Sequence, residues 1–196
     1  TARSGSANPG DPVCNANSGI CYTTIQAAIT AASDGDTINI ANGTYSESPN
    51  IYKSLTLNGQ SEAGVIIDAS GVTDYGIDAS GDITTYFSNF TLIGSPSTGE
   101  TGIGYGLKIS GNNAQTTIQD VTVQNCGRSG IDLNGVAGGV IDDVTITGSV
   151  YGVGLALTDS SNITVSNVTT SGNTWGGMAI YVAGESHTGG SDNITL

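Results

Sequence analysis

Basic residues are almost missing from this chain. Four Lys and Arg stand against 17 Asp and Glu, a formal charge of −13. A nucleic-acid binder or a partner for anionic lipid needs the opposite sign, so neither class is expected. Charge of either sign is thin: 11% of residues are charged and 37% are hydrophobic, which argues against a disordered acidic tail. Aromatics reach only 6%, too little for a large aromatic core. No apolar run approaches the roughly 18 residues of a membrane span, so no membrane insertion is expected. No basic, apolar leader opens the chain, so a secretion signal is expected to have been removed or never supplied. Histidine occurs once, as His187, in a polar stretch read as surface loop.

Cysteine is scarce too, with three residues. Cys14 and Cys21 bracket a short polar loop and are expected to form a disulfide, which implies an oxidising compartment. Two cysteines with no further Cys or His nearby make a poor metal site. Cys126 is left over and reads as a small buried or half-buried thiol.

What the chain has in abundance is glycine and repetition. Glycine counts 30 of 196 residues, about twice the usual share. The segments 52–59, 87–94, 118–125, 141–148 and 165–172 share a pattern. Each has a large apolar residue, two polar or small ones, then apolar-Thr, placing Thr56, Thr91, Thr122, Thr145 and Thr169 in one phase. A sixth copy begins at Asn193-Ile194-Thr195-Leu196. A second motif, Gly-apolar-x-apolar or small, starts at Gly76, Gly106, Gly130, Gly154 and Gly177. Both ladders settle to a period of about 23–24 residues, and the surplus of the early copies falls in polar stretches such as 95–102, expected to be bulging loops.

Alternation of apolar and polar residues within each motif marks half-buried strands. Short strands at equal phase with no helix between them fit an all-β, parallel solenoid of about six coils. Val121, Val144 and Val168 are expected to stack inside, as are Ile131, Leu155 and Met178, with the threonines outside. Glycine before the second strand is expected to allow a tight corner through positive φ. The winding is expected to be right-handed. An antiparallel sandwich would need hairpin turns instead. The segment 23–33 departs from the pattern: Ile25, Ala28, Ile29 and Ala32 share one helical face, Thr23 or Thr24 can cap it, and the strand 37–40 follows. A short amphipathic helix there would cover the open end of the solenoid. One domain spans 1–196: an N-terminal segment to 21, the cap and first strand to 47, then coils, the last incomplete.

The stretch Y-T-T-I-Q-A-A-I-T-A-A-S-D-G-D-T-I-N-I-A-N-G-T-Y-S-E (22–47) resembles the N-terminal cap of right-handed parallel β-helix proteins of the pectin-lyase-like superfamily. The resemblance is tight over those 26 residues and looser through the repeats. It implies the fold and export, not an activity, since that superfamily holds polysaccharide lyases, hydrolases, epimerases and surface proteins. The hydrolase pattern of the superfamily, paired Asp groups with a Gly-His-Gly and a basic triplet, is not met here: Arg3, Lys53, Lys108 and Arg128 are scattered.

Asp78, Lys108 and Asp132 occupy the outward position of three successive second strands, with Arg128 at the preceding corner. Such a row can hold calcium or a uronate and supply a base, or it can be a solvated ladder in which Lys relieves repulsion. Asp120 and Asp143 share a phase with Asn89, Asn167 and Asn193, where side chains bond neighbouring backbone; calcium between the two aspartates is a weaker alternative, and no cofactor is expected. Asn42, Asn89, Asn162, Asn167 and Asn193 begin sequons and are candidates for glycosylation, three of them produced by the repeat itself. The threonine ladder suggests ice binding, but Asn58, Ile93, Gln124 and Ser171 break the second row such a surface needs.

The final copy opens without a cap, so Asn193, Ile194, Thr195 and Leu196 are expected to receive an added strand, from a second copy head to tail or from the remainder of a longer chain. The polar start, residues 1–12, is expected to dock on its own helix or a neighbour. Together these features point to an extracellular, non-enzymatic structural or adhesive β-helix that builds filaments. The alternative is a polysaccharide lyase or carbohydrate-binding β-helix acting on an acidic glycan.

Overall fold

The structure, a computed structural model, describes residues 12–72, 74–96, 104–182 and 190–196. His187, most of the polar start and most of the 95–102 loop lie outside these residues. Six short strands, Asn50–Ile51, Ile77–Ser80, Leu107–Ser110, Ile131–Asn134, Val153–Thr158 and Gly176–Tyr181, stack in order as one parallel sheet. Within it Ile77, Leu107, Ile131, Leu155 and Met178 align, as the repeat predicts. Leu107 and Ile109 are fully buried while Lys108 between them points out, the period-two alternation of a half-buried strand.

A longer sheet of eleven strands forms the other walls. Its main members are Thr84–Ile93, Gln115–Gln124, Gly138–Thr147 and Ser161–Ser171, again parallel. Val121, Val144 and Val168 align, as do Thr91, Thr122, Thr145 and Thr169. Each of these long strands contains a left-handed residue: Asn89 (φ 60°), Asp120 (52°), Asp143 (51°) or Asn167 (51°). The left-handed corner explains the repeat's odd spacing. Ile118 and Val121 are three apart and would face opposite sides of a straight strand, yet both are buried because the chain turns at Asp120. Asn and Asp tolerate that conformation far better than branched residues do.

Three expectations need correction. Thr56 pairs with Tyr86, not Thr91, whose partner is Ile66; the early coil is longer and carries Val65–Asp68 as an extra strand. Asn193 belongs with Asn162 rather than Asn167, since Ile194 pairs with Ile163 and Thr195 with Thr164. The motif glycines Gly76, Gly106, Gly130, Gly154 and Gly177 are not at positive φ. Their constraint is space: a Cβ on Gly76 would lie 2.6 Å from the Gly106 carbonyl oxygen, and one on Gly154 2.6 Å from that of Gly177.

The cap helix is Ile25–Ala31, with Ile25, Ala28 and Ile29 buried and Thr24 Oγ1 accepting from the Ala27 N–H at 3.1 Å. Seven residues cannot hold a helix in water unaided. Here the coil beneath grips both ends. Glu47 accepts from the N–H groups of Ile25 and Gln26, each at 2.9 Å, while Lys53 Nζ donates to the carbonyls of Ile29, Thr30 and Ala32 at 3.2, 2.9 and 2.6 Å. Negative charge at the start and positive charge at the end also suit the helix dipole. Next to it, Val13–Asn15 pairs antiparallel with Asp36–Ile40 and with Cys21–Tyr22, and the Cys14–Cys21 disulfide closes that hairpin.

Candidate functional site

The outward row of the six-stranded sheet runs Asn50, Asp78, Lys108, Asp132, Ala156, Ala179. Asp78, Lys108 and Asp132 therefore lie side by side, as the spacing implies. Lys108 Nζ meets Asp132 Oδ2 at 2.9 Å, with the two side chains only 13% and 8% exposed. The second carboxylate oxygen, Asp132 Oδ1, is buried and has no hydrogen-bond partner among the described residues. Asp78 accepts from Ser80 Oγ at 3.1 Å, and burial holds its carboxyl above the ordinary value.

Aromatic residues surround this row. Tyr75 and Tyr105 stack at 5.8 Å between ring centroids. Lys108 Nζ lies 5.1 Å from the Tyr105 ring centre and the Arg128 guanidinium 5.4 Å, within cation–π range. Burial first, then the charge of Asp132, raises the Tyr105 hydroxyl. Across the small floor residue Ala156 stand Trp175, 52% exposed, and Tyr181. The result is a cleft of about 390 Å³, walled by Tyr105, Lys108 and Arg128 on one side and Trp175 and Tyr181 on the other, with Asp132 and Asn134 opening into it. A smaller depression beside it holds Asp74, Tyr75 and Asp78.

Composition hid these aromatics, because there are so few. The signal that would have found them is position: Tyr75, Tyr105 and Trp175 each directly precede a glycine, Gly76, Gly106 and Gly176, at the corner leading into a strand of this sheet.

The other candidates lie elsewhere. Asp120 and Asp143 are left-handed corner residues, and no group of three or more potential metal ligands forms among the described residues. Four of the five sequon asparagines donate their side-chain amide between coils: Asn89 to Asn58 at 3.0 Å, Asn162 to the Ala137 carbonyl at 3.0 Å, Asn167 to Asp142 at 3.0 Å and Asn193 to Asn162 at 2.6 Å. Asn42 is exposed and its carbonyl oxygen accepts from Ser61. Ile194 packs against the core and Leu196 is exposed. Cys126 is buried, and burial pushes its thiol up to about 12.

Coils of equal phase, parallel pairing and stacked apolar rows define a parallel β-solenoid. More particularly, residues 105–193 match the family described as the right handed beta helix region. A crystal structure of an aspartate-to-alanine mutant of pectin methylesterase in complex with hexasaccharide IV is similar, with 16% identity and a TM-score of 0.45 over 85% of this chain. The match spans 66% of that chain. No curated protein matches the sequence. Among the described residues no helix is long and apolar enough to cross a membrane.

Proposed function

We propose that the protein is a carbohydrate-binding β-helix that seats a glycan chain in the cleft between Tyr105 and Trp175. The observation that carries this reading is the arrangement of aromatic walls around a polar floor. Sugar rings present an apolar C–H face that lies on aromatic side chains and a rim of hydroxyls that needs a few fixed polar partners. Tyr105, Tyr181 and Trp175 supply the first; Asp132, Asn134 and Arg128 supply the second. An extracellular setting belongs to the same proposal and is supported by the Cys14–Cys21 disulfide.

Binding is proposed rather than cleavage because the Lys108 ammonium is committed to Asp132. The chain offers a convenient probe. Its single tryptophan, Trp175, lines the cleft, so intrinsic fluorescence reports on this site alone. A panel of oligosaccharides should contain one that shifts this emission and releases heat in calorimetry, and Tyr105→Ala should weaken its binding about tenfold. Silence in both measurements across the panel removes the proposal. Unsaturated product appearing from an acidic polysaccharide, and lost in Lys108→Ala, would replace it with a lyase.

A structural role is the second reading. Met178 and Ile180 are 36% and 46% exposed, whereas Leu155 and Leu157, their partners in the preceding coil, are fully buried. Those side chains favour the addition of another strand, from more of this chain or from a second copy. Light scattering that finds only monomer at millimolar protein would end the self-association version.

A further inference from the structure

We infer that the glycan this cleft accepts is uncharged; the inference rests on the carbohydrate-binding reading and narrows it. An acidic polysaccharide requires cations that remain available to it. Lys108 is not available in that sense. Its ammonium lies 2.9 Å from Asp132 Oδ2, in a pair only 13% and 8% exposed, so the two charges cancel where a sugar would lie. On the other side of Lys108 in the row stands Asp78, with Asp74 close by. The Arg128 guanidinium is laid over the Tyr105 ring. Lys108 and Arg128 share the cleft lining with Asp132, and Asp74 and Asp78 line the depression beside it, so the site with its border holds two cations and three carboxylates within a molecule of net charge −13. A uronate approaching this site meets the carboxylates on its border and the negative field of the whole molecule.

The remaining polar group points the same way. Asp132 lines the cleft as a carboxylate. An ionised carboxylate only accepts, so its complement must donate. Sugar hydroxyls, or the N–H of an acetamido group, donate; the carboxylate of a uronic acid does not.

The test is direct. Neutral hexasaccharides of glucose, xylose, mannose, galactose and N-acetylglucosamine are titrated into the intact protein beside hexamers of galacturonic, mannuronic and guluronic acid. Trp175 fluorescence and calorimetry report binding, each at low salt and at higher salt. A neutral hexamer should bind at least about tenfold tighter than every hexauronate, with an affinity that salt leaves unchanged. Asp132→Asn, which keeps the shape but removes the ion-pair partner of Lys108, should weaken the neutral ligand and raise hexauronate affinity. Asp78→Asn, a milder change on a less buried side chain, should also raise hexauronate affinity and guards against misfolding of the first variant. A hexauronate that binds wild type more tightly than any neutral hexamer overturns the inference while leaving the carbohydrate reading intact. If no hexamer of either kind binds, the carbohydrate reading itself falls.

Discussion

Cys126 sits beneath Gly94 and Gly106, and a side chain on either glycine would run into its sulfur. Burial pushes its thiol up to about 12, so the thiolate that reacts with disulfide reagents is almost absent near neutral pH. Native protein at pH 8 should resist Ellman's reagent and release one equivalent on denaturation; prompt stoichiometric labelling of the folded state would place the sulfur elsewhere. Glycine carries a second residue-scale prediction. Gly154 has ordinary backbone angles, and its replacement by alanine would bring a Cβ to 2.6 Å from the Gly177 carbonyl. Gly154→Ala should cost about 1–3 kcal/mol through overpacking between coils, measured by denaturant melts. A neutral result would mean that the coils can separate at no cost.

The cap helix illustrates how one element depends on its neighbour. Glu47 and Lys53 belong to the coil below, yet they satisfy two N–H groups and three carbonyls at the ends of Ile25–Ala31. Lys53→Met should cost about 1–3 kcal/mol and speed amide exchange in the helix before the coils respond. Equal exchange in wild type and Lys53→Met would show that the apolar face alone holds it. Much at this scale was legible in the sequence. The helical face, a threonine cap at 23 or 24 and the alignment of the three regular coils follow from the sequence, because burial on one side writes itself into residue type. The early coil was misaligned because Val65–Asp68 is an additional strand that restores the register through Ile66 instead of Thr56. Glu47 and Lys53 left no trace, since a cap made across 21 to 24 residues has no local pattern. The cleft was half legible: the Asp78–Lys108–Asp132 row along its edge repeats with the strands, but its aromatic walls come from corners of differing length.

For the whole molecule, acid has opposing effects. Asp36, Asp68 and Asp82 are held below the usual 3.8, by the Ser33 backbone N–H and Asn15, by Ser70, and by Asn113 respectively. A lowered folded-state value means stability that is present above 3.8 and is lost as pH falls through the folded values. Asp78 runs the other way: burial raises it, so protonation on going from neutral pH downward relieves the fold. Repulsion within a chain of charge −13 relaxes over the same range. Calorimetry should find Tm rising from pH 7 to about 5 and falling below about pH 4; a Tm that declines steadily from pH 7 would contradict this assignment. The left-handed corners have a last consequence. Asn125 and Gly148 occupy the same corner in adjacent windings, both at positive φ, with the Asn125 N–H bonded to Thr147 and that of Gly148 to Ser171. Excising residues 125–147 would splice Gln124 to Gly148 in phase, yielding a rod one storey shorter that still melts cooperatively. Lys108 would then neighbour Ala156, so the shortened protein keeps its architecture while forfeiting the carboxylate that tunes its cleft, and stature and ligand choice become separately adjustable.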